Sequence, residues 1–361
     1  MQEYWVAFSL VPGFGAVRIR QLSQAFPDLG AAWDASPSVL AQAQVPPRLI
    51  EQLQTARRQL EPLRLLQAVH QAGAWVLTLD DSAYPPLLAR LNDAPPVLYG
   101  HGDLIESDYR ALTVVGTRRP TRYGQDMTRY FVGELVRAGL CIVSGLALGI
   151  DGLAHQTALE AGGRTLAVLG GGLDKLYPAE HRGLAQKITA QGALLSEQPL
   201  GTKPLPQHFP ARNRILSGLS LGVLVIEAPE KSGSLMTASY AGEQGREVFA
   251  VPGGARALNS RGTNRLIQDG AKLVMEVEDI LRELNLLRPA AIPTPPPIQQ
   301  LPPLNEMEQQ LLAALRLEAL HVDELSRQCH LPIQAVNAAL VLMELQGLVY
   351  QVSPMVYQSL V

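Results

Sequence analysis

Seven arginines fall where apolar runs and glycines predict strand ends and turns: Arg118, Arg119, Arg122, Arg212, Arg214, Arg261 and Arg265. A guanidinium beside free backbone amides is a bidentate receptor for anions, so this placement points to phosphate chemistry. The densest device is Gly116-Thr117-Arg118-Arg119, where amides and two cations follow the apolar run 112–115. Solvation of a loop is the plainer use of the same arginines. A second device is Phe209-Pro210-Ala211-Arg212-Asn213-Arg214, which combines an aromatic ring, two cations and an amide side chain. Stacking on such a ring is worth roughly 1–3 kcal/mol per base and suits unpaired bases, whose faces are open. The alternative is a ring in the core with Arg212 or Arg214 in an internal ion pair. Smaller devices are Ser144-Gly145 ahead of a helix, Gly170 and Gly172 with Lys175 just beyond, and the amide-and-hydroxyl nest Ser232-Gly233-Ser234. Asp151 reads as a helix N-cap rather than an acid.

Signs of catalysis are sparse. Gly170 and Gly172 give G-x-G, but Lys175 stands where the dinucleotide fingerprint needs glycine. There is no G-x-x-x-x-G-K-[ST], H-E-x-x-H or C-x-x-C string, so neither a cofactor nor a metal is expected. His155, His181 and His208 are scattered and read as structural or peripheral. The leading expectation is therefore a polyanion-binding crevice without a nucleophile or base. A rival is a nucleotide phosphoribohydrolase-like enzyme on a related Rossmann-like fold, which needs a glutamate near the sugar. Glu227, Glu230 and Glu243 are the candidates, although none sits in the P-G-G-x-G-T-x-x-E string that this chemistry favours. A third reading is a scaffold whose pocket is unused.

The elements that must position these groups follow from periodicity. Apolar runs at 112–115, 140–143 and 165–169 alternate with helical spacing and end in glycine turns. Strand, helix, strand, helix, strand implies a parallel sheet whose carboxyl ends form the ligand crevice. Further strands are expected at 193–196, 221–227, 248–251 and 272–274, with 75–79 and 97–100 at an edge. The α/β core is expected over 66–287. Before it, residues 1–65 read as a helical domain, either a small bundle packed on the core or a unit in which Leu10 to Gly15 resembles a helix-hairpin-helix turn that meets a DNA phosphate. One amphipathic helix is expected from Leu49 to Val69. Prolines dominate 288–304, an extended linker. Residues 305–361 follow the order of a winged helix but carry two arginines against six acids, which suits a protein partner better than DNA.

The 361 residues are 47% hydrophobic with a net charge of −3. Such a chain has ample apolar content for a core, and its overall charge argues against indiscriminate nucleic-acid binding. Neither a secretion signal nor a membrane-length apolar run is read, so the cytoplasm is expected and no membrane partner. Cys141 and Cys329 suggest reduced, structural thiols.

Taken together, several strings resemble the bacterial DNA-processing protein A (DprA, or Smf) family. They are V-G-T-R-R-P at 115–120, S-G-L-A-L-G-I-D at 144–151, G-G-G-L-D-K-L-Y-P at 170–178 and S-E at 196–197. F-P-A-R-N-R-I-L-S-G-L-S at 209–220, S-G-S-L-M-T-A at 232–238 and V-F-A-V-P-G at 248–253 complete the set. The match spans about Tyr84 to Leu281. It implies an extended Rossmann-like domain that binds single-stranded DNA, loads the RecA recombinase during natural transformation and forms a homodimer. It also implies that Arg118 clamps a phosphate, that Phe209 stacks a base, and that Arg212, Asn213 and Arg214 line the pocket. Some members carry lysine three residues before the aromatic, where Pro206 stands here, and Lys203 is the candidate substitute. Others carry arginine where Leu148 stands.

Overall fold

The computed structural model describes residues 1–286, 304–316 and 318–360. Two compact units emerge, Met1–Leu287 and Arg288–Val361. The first begins with six helices: α1 (Gln2–Ser9), α2 (Ala16–Ala25), α3 (Leu29–Asp34), α4 (Pro37–Gln42), α5 (Pro47–Gln59) and α6 (Pro62–Gln71). The single helix expected over 49–69 is thus two. Pro62 has no N–H to donate and holds Glu61 in an extended conformation, which breaks the helical path between α5 and α6.

Those helices pack on the sheet within one compact unit. Trp5, Phe8, Leu22, Trp33 and Leu53 share one buried cluster with Val76, Tyr99, Ala167, Leu169 and Leu194 of the sheet. The expected boundary near residue 65 therefore falls inside a continuous core.

The sheet has nine strands: β1 (Trp75–Thr78), β2 (Val97–Gly102), β3 (Ala111–Val115), β4 (Cys141–Ser144), β5 (Thr165–Leu169), β6 (Gly192–Ser196), β7 (Gly222–Val225), β8 (Glu247–Ala250) and β9 (Lys272–Leu273). Their order is β1-β2-β6-β5-β4-β3-β7-β8-β9, and the helices after α6 include α7 (Pro86–Ala89), α8 (Arg122–Arg137), α9 (Ile150–Glu160), α10 (Arg182–Gln191), α11 (His208–Gly218) and α12 (Gly233–Glu243). β1 and β2 pair antiparallel at the edge, and the pairs from β6 to β9 are parallel. Every residue of β3 is buried, as befits a strand covered on both faces. Its side chains alternate: Leu112 and Val114 join Phe131, Val132 and Leu135 of α8 (Arg122–Arg137) on one face. Ala111 and Val115 join Ile215 and Leu216 of α11 (His208–Gly218), with Ala238 and Ala241 of α12 (Gly233–Glu243), on the other.

From β3 the chain moves outward through β4, β5 and β6, then returns to the opposite side of β3 to lay down β7, β8 and β9. The turns after β3 and β7 thus leave adjacent strands for helices on opposite faces, α8 and α12. A crevice opens between them, and in open parallel sheets this is where ligands bind.

The second unit contains helices at Glu306–Leu315, Val322–Gln328 and Ile333–Leu345 and a three-stranded antiparallel sheet of Leu320–His321, Val356–Ser359 and Val349–Ser353. Helix, short strand, two helices and a hairpin is the winged-helix order. The expected linker, 288–304, lies outside the described residues apart from Leu304.

Candidate nucleic-acid interface

A cavity of about 330 Å³ occupies the switch point, lined by the turn after β3 (Val115–Arg118), the start of α11 (Phe209–Asn213) and the turn into α12 (Pro229–Ser234). The turn after β3 passes through a narrow gap. A Cβ on Gly116 would stand 2.6 Å from Ile150 Cγ1 and 2.9 Å from the Glu227 carbonyl oxygen, so only glycine fits. The Thr117 amide donates to that carbonyl at 2.7 Å and the Thr117 carbonyl accepts from the Ile150 amide. Thus fastened to the next strand and to α9 (Ile150–Glu160), the turn presents Arg118 and Arg119 to solvent.

Arg118 reaches toward Phe209, its guanidinium carbon 5.9 Å from the ring centroid. Helix α11 begins three residues before the expected Ala211, so Phe209 and Pro210 form its first turn. Gly170 backs the ring, since a Cβ there would lie 3.1 Å from Phe209 Cδ1. At the opposite wall the Ser232 hydroxyl caps α12 by accepting from the Ser234 amide, and Asn213 Nδ2 donates to the Gly233 carbonyl at 3.3 Å. Lys231 is exposed at this wall. None of Arg118, Arg119 and Lys231 has an ion-pair partner among the described residues. Of these, Arg118 and Lys231 line the cavity with the Phe209 ring, whereas Arg119 is exposed outside the lining. Unpaired cations beside a ring suit a phosphate joined to a flat, partly apolar group.

The structure does not bring every expected residue to this rim. Arg212 is only 6% exposed and lies in the pocket floor. Its Nη1 donates to the carbonyls of Gly145 and Val168, and its Nε donates to Asn213 Oδ1. It ties the ends of β4 and β5 to α11 instead of reaching outward. Burial pushes its pKa down to about 10, with Asp151 opposing the shift. Asp151 is buried opposite it. Its Oδ2 accepts from the Gly145 amide at 3.1 Å, and burial raises its pKa against the pull of Arg212. The N-cap position of α9 belongs to Gly149, so Asp151 secures the preceding turn and does not cap its own helix.

Arg214 points elsewhere. It pairs with Glu197 at 2.5 Å and with Asp93 at 3.4 Å, the internal ion pair weighed as the alternative, and it takes no part in lining the pocket. Ser144 is buried and donates to the Val114 carbonyl, while Gly145 is filled over by the Arg212 guanidinium. Gly170 and Gly172 are buried too. The Gly172 amide donates to the Thr202 carbonyl and His208 Nδ1 contacts the Gly170 carbonyl oxygen, so the expected phosphate turn is closed by the loop 199–208. Lys175 pairs with Asp174 at 3.2 Å, and Lys203 is exposed on the covering loop; neither lines the cavity.

The rival glutamate is engaged as well. Glu227 is buried and its two carboxylate oxygens accept from the amide and hydroxyl of Thr121, fixing the start of α8. Glu230 lines a separate cleft, together with Arg261. His155 is buried in the core, its Nδ1 2.7 Å from the Thr165 hydroxyl. No group of three potential metal ligands occurs among the described residues.

Lys231 on the rim, and Tyr177 beside Phe209, were not singled out from the sequence. Tyr177 had a signal, an aromatic two residues beyond Lys175, but its distance from Phe209 in sequence hid their proximity.

Fold and site together define a Rossmann-like α/β protein with a cationic, ring-bearing crevice at the sheet's switch point and a winged helix after it. The family model described as DNA recombination-mediator protein A matches residues 75–285, and that of the DprA winged helix domain matches residues 293–353. The chain belongs to this DprA/Smf family. It is 38% identical to Protein Smf of Synechocystis sp. over 99% of this chain and 98% of that one. Identity to DNA processing protein DprA of Bacillus subtilis is 46%, covering 61% of this chain and 75% of the relative. Among solved structures, DNA processing protein A from Streptococcus pneumoniae superposes with a TM-score of 0.69 at 34% identity, covering 78% of this chain and 98% of that one. A second, from Helicobacter pylori and described for its single-stranded DNA binding mode, gives a TM-score of 0.53 at 33% identity over 58% of this chain and 95% of that one.

Proposed function

We propose that the switch-point crevice holds single-stranded DNA, Arg118 on a backbone phosphate and the Phe209 ring on an unpaired base. The observation that carries this reading is the pairing of an unneutralised guanidinium with a backed aromatic ring 5.9 Å away, at the mouth of a cavity walled by a helix start. A duplex keeps its base faces stacked inside, so the ring is useful only on an unpaired strand. The Helicobacter relative, described as binding single-stranded DNA, supports the same choice of ligand.

In this reading the protein is a non-enzymatic mediator that protects incoming DNA in natural transformation and loads RecA onto it. It works in the cytoplasm as a homodimer, and Ser232, Gly233, Ser234 and Asn213 shape the wall against which the strand lies. Glu227 is committed to Thr121 and does not line the crevice, which weighs against the phosphoribohydrolase reading.

Gel-shift titration of Arg118→Ala against wild type over a salt series tests this. Each lost phosphate contact flattens the slope of log affinity against log salt by about 0.7 for a single strand. Weaker binding with a shallower slope is the expected result; unchanged affinity and slope would remove Arg118 from the interface.

A further inference from the structure

Tyr177 packs beside Phe209, just outside the lining of the cavity, with no role so far. Its side chain is 51% exposed, and its ring centroid lies 5.8 Å from that of Phe209 with 59° between the planes. Of nineteen aromatics nine are buried and four exposed, and Tyr177 is an exposed one that meets the cavity-lining Phe209, which calls for an explanation. The loop that carries Tyr177 is pinned. The Gly172 amide donates to the Thr202 carbonyl at 2.9 Å, Asp174 Oδ1 accepts from the Gly201 amide at 2.7 Å, and Pro178 next to the ring is buried. A half-exposed ring on a fixed backbone loses little entropy on binding.

We propose that Tyr177 is a second stacking platform, which takes the base next to the one on Phe209 and so makes the site a two-nucleotide grip. The inference rests on reading the crevice as a single-stranded DNA site and extends it along the strand. Two planes 59° apart cannot both lie flat on one planar base. Each ring therefore receives its own base, and the strand bends between them, which an unpaired backbone does easily and a duplex does not. Arg118, beside Phe209, fixes which end of the bent dinucleotide meets the guanidinium.

The test compares wild type with Tyr177→Ala, Tyr177→Leu and Tyr177→Trp, titrated with oligothymidylate and with a duplex of equal length. Loss of one stacked base lowers affinity at least about fivefold. Ala and Leu are both expected to show this loss for the single strand, with an unchanged salt slope because no phosphate contact is removed. Trp is expected to bind like wild type with its fluorescence quenched by the stacked base, against a constant background from Trp5, Trp33 and Trp75, which are buried or partly buried. If Leu binds like wild type, Tyr177 only props Phe209 and the proposal falls. Should Ala bind like wild type while Arg118→Ala and Phe209→Ala weaken binding, the second platform is wrong and the crevice reading stands. Wild type that ignores single strands would overturn both.

Discussion

At the residue scale, two arginines separated by one residue do opposite jobs. Arg212 turns inward to bind the strand-end carbonyls, and Arg214 neutralises Glu197 and Asp93. Sequence cannot tell such arginines from Arg118, because type and spacing say nothing of which way a helix start faces. Arg214→Ala should cost roughly 1.5–3 kcal/mol in a denaturant melt, the worth of a charged hydrogen bond, and leave single-stranded DNA affinity within twofold or so. His155 gives a second prediction at this scale. Burial, then the charges of His181 and Arg212, pushes its pKa down to about 3. Unfolded, the same imidazole takes a proton near pH 6.5. Between those values the unfolded chain binds more protons, so this group's contribution to stability falls as pH falls, by up to about 1.4 kcal/mol per unit. A His155→Gln variant lacks that dependence. The gap in melting temperature between wild type and variant should therefore narrow from pH 7 to pH 4; a constant gap would refute the assignment.

At the scale of elements, the strand-turn-helix alternation of 112–169 was legible because buried parallel strands are continuous apolar runs closed by glycines. The expected runs fall within about two residues of β3, β4 and β5. The glycine triplet was misread for a physical reason: a glycine leaves room for close approach, and the sequence does not say whether ligand or protein fills it. At 170–172 the loop 199–208 fills it. At Gly149 the approach is again by protein, and φ is +84°. A methyl there would press on the Thr117 carbonyl oxygen and the Arg118 backbone. Gly149→Ala should therefore lower stability by roughly 1–3 kcal/mol and weaken single-stranded DNA binding by shifting the turn that carries Arg118. Urea melts and gel shifts of the same preparation measure both.

At the scale of the whole molecule, the helical segment was read as a domain of its own, packed on the core or not, and it shares one buried cluster with the sheet. Composition could not reveal this, since an amphipathic helix looks the same whether it covers a neighbouring helix or a sheet. Trp5, Phe8 and Trp33 are buried in the same cluster as Leu169 and Leu194. A fragment of residues 1–287 should thus unfold in one cooperative transition, whereas 66–287 should aggregate or melt without cooperativity, by calorimetry. All the lining of the crevice comes from the first unit, so that 1–287 fragment should keep the affinity of the full chain for single strands. Acidic residues outnumber arginines six to two over 305–361, consistent with a second unit that adds no phosphate contacts.

The most direct measurement is the affinity of wild type and Phe209→Ala for a single strand and for a duplex of the same sequence at one salt concentration. The account predicts that wild type prefers the single strand and that Phe209→Ala loses at least about fivefold on the single strand with little change on the duplex. Equal binding of both forms by wild type, or a Phe209→Ala protein that still prefers the single strand to the same degree, would contradict it.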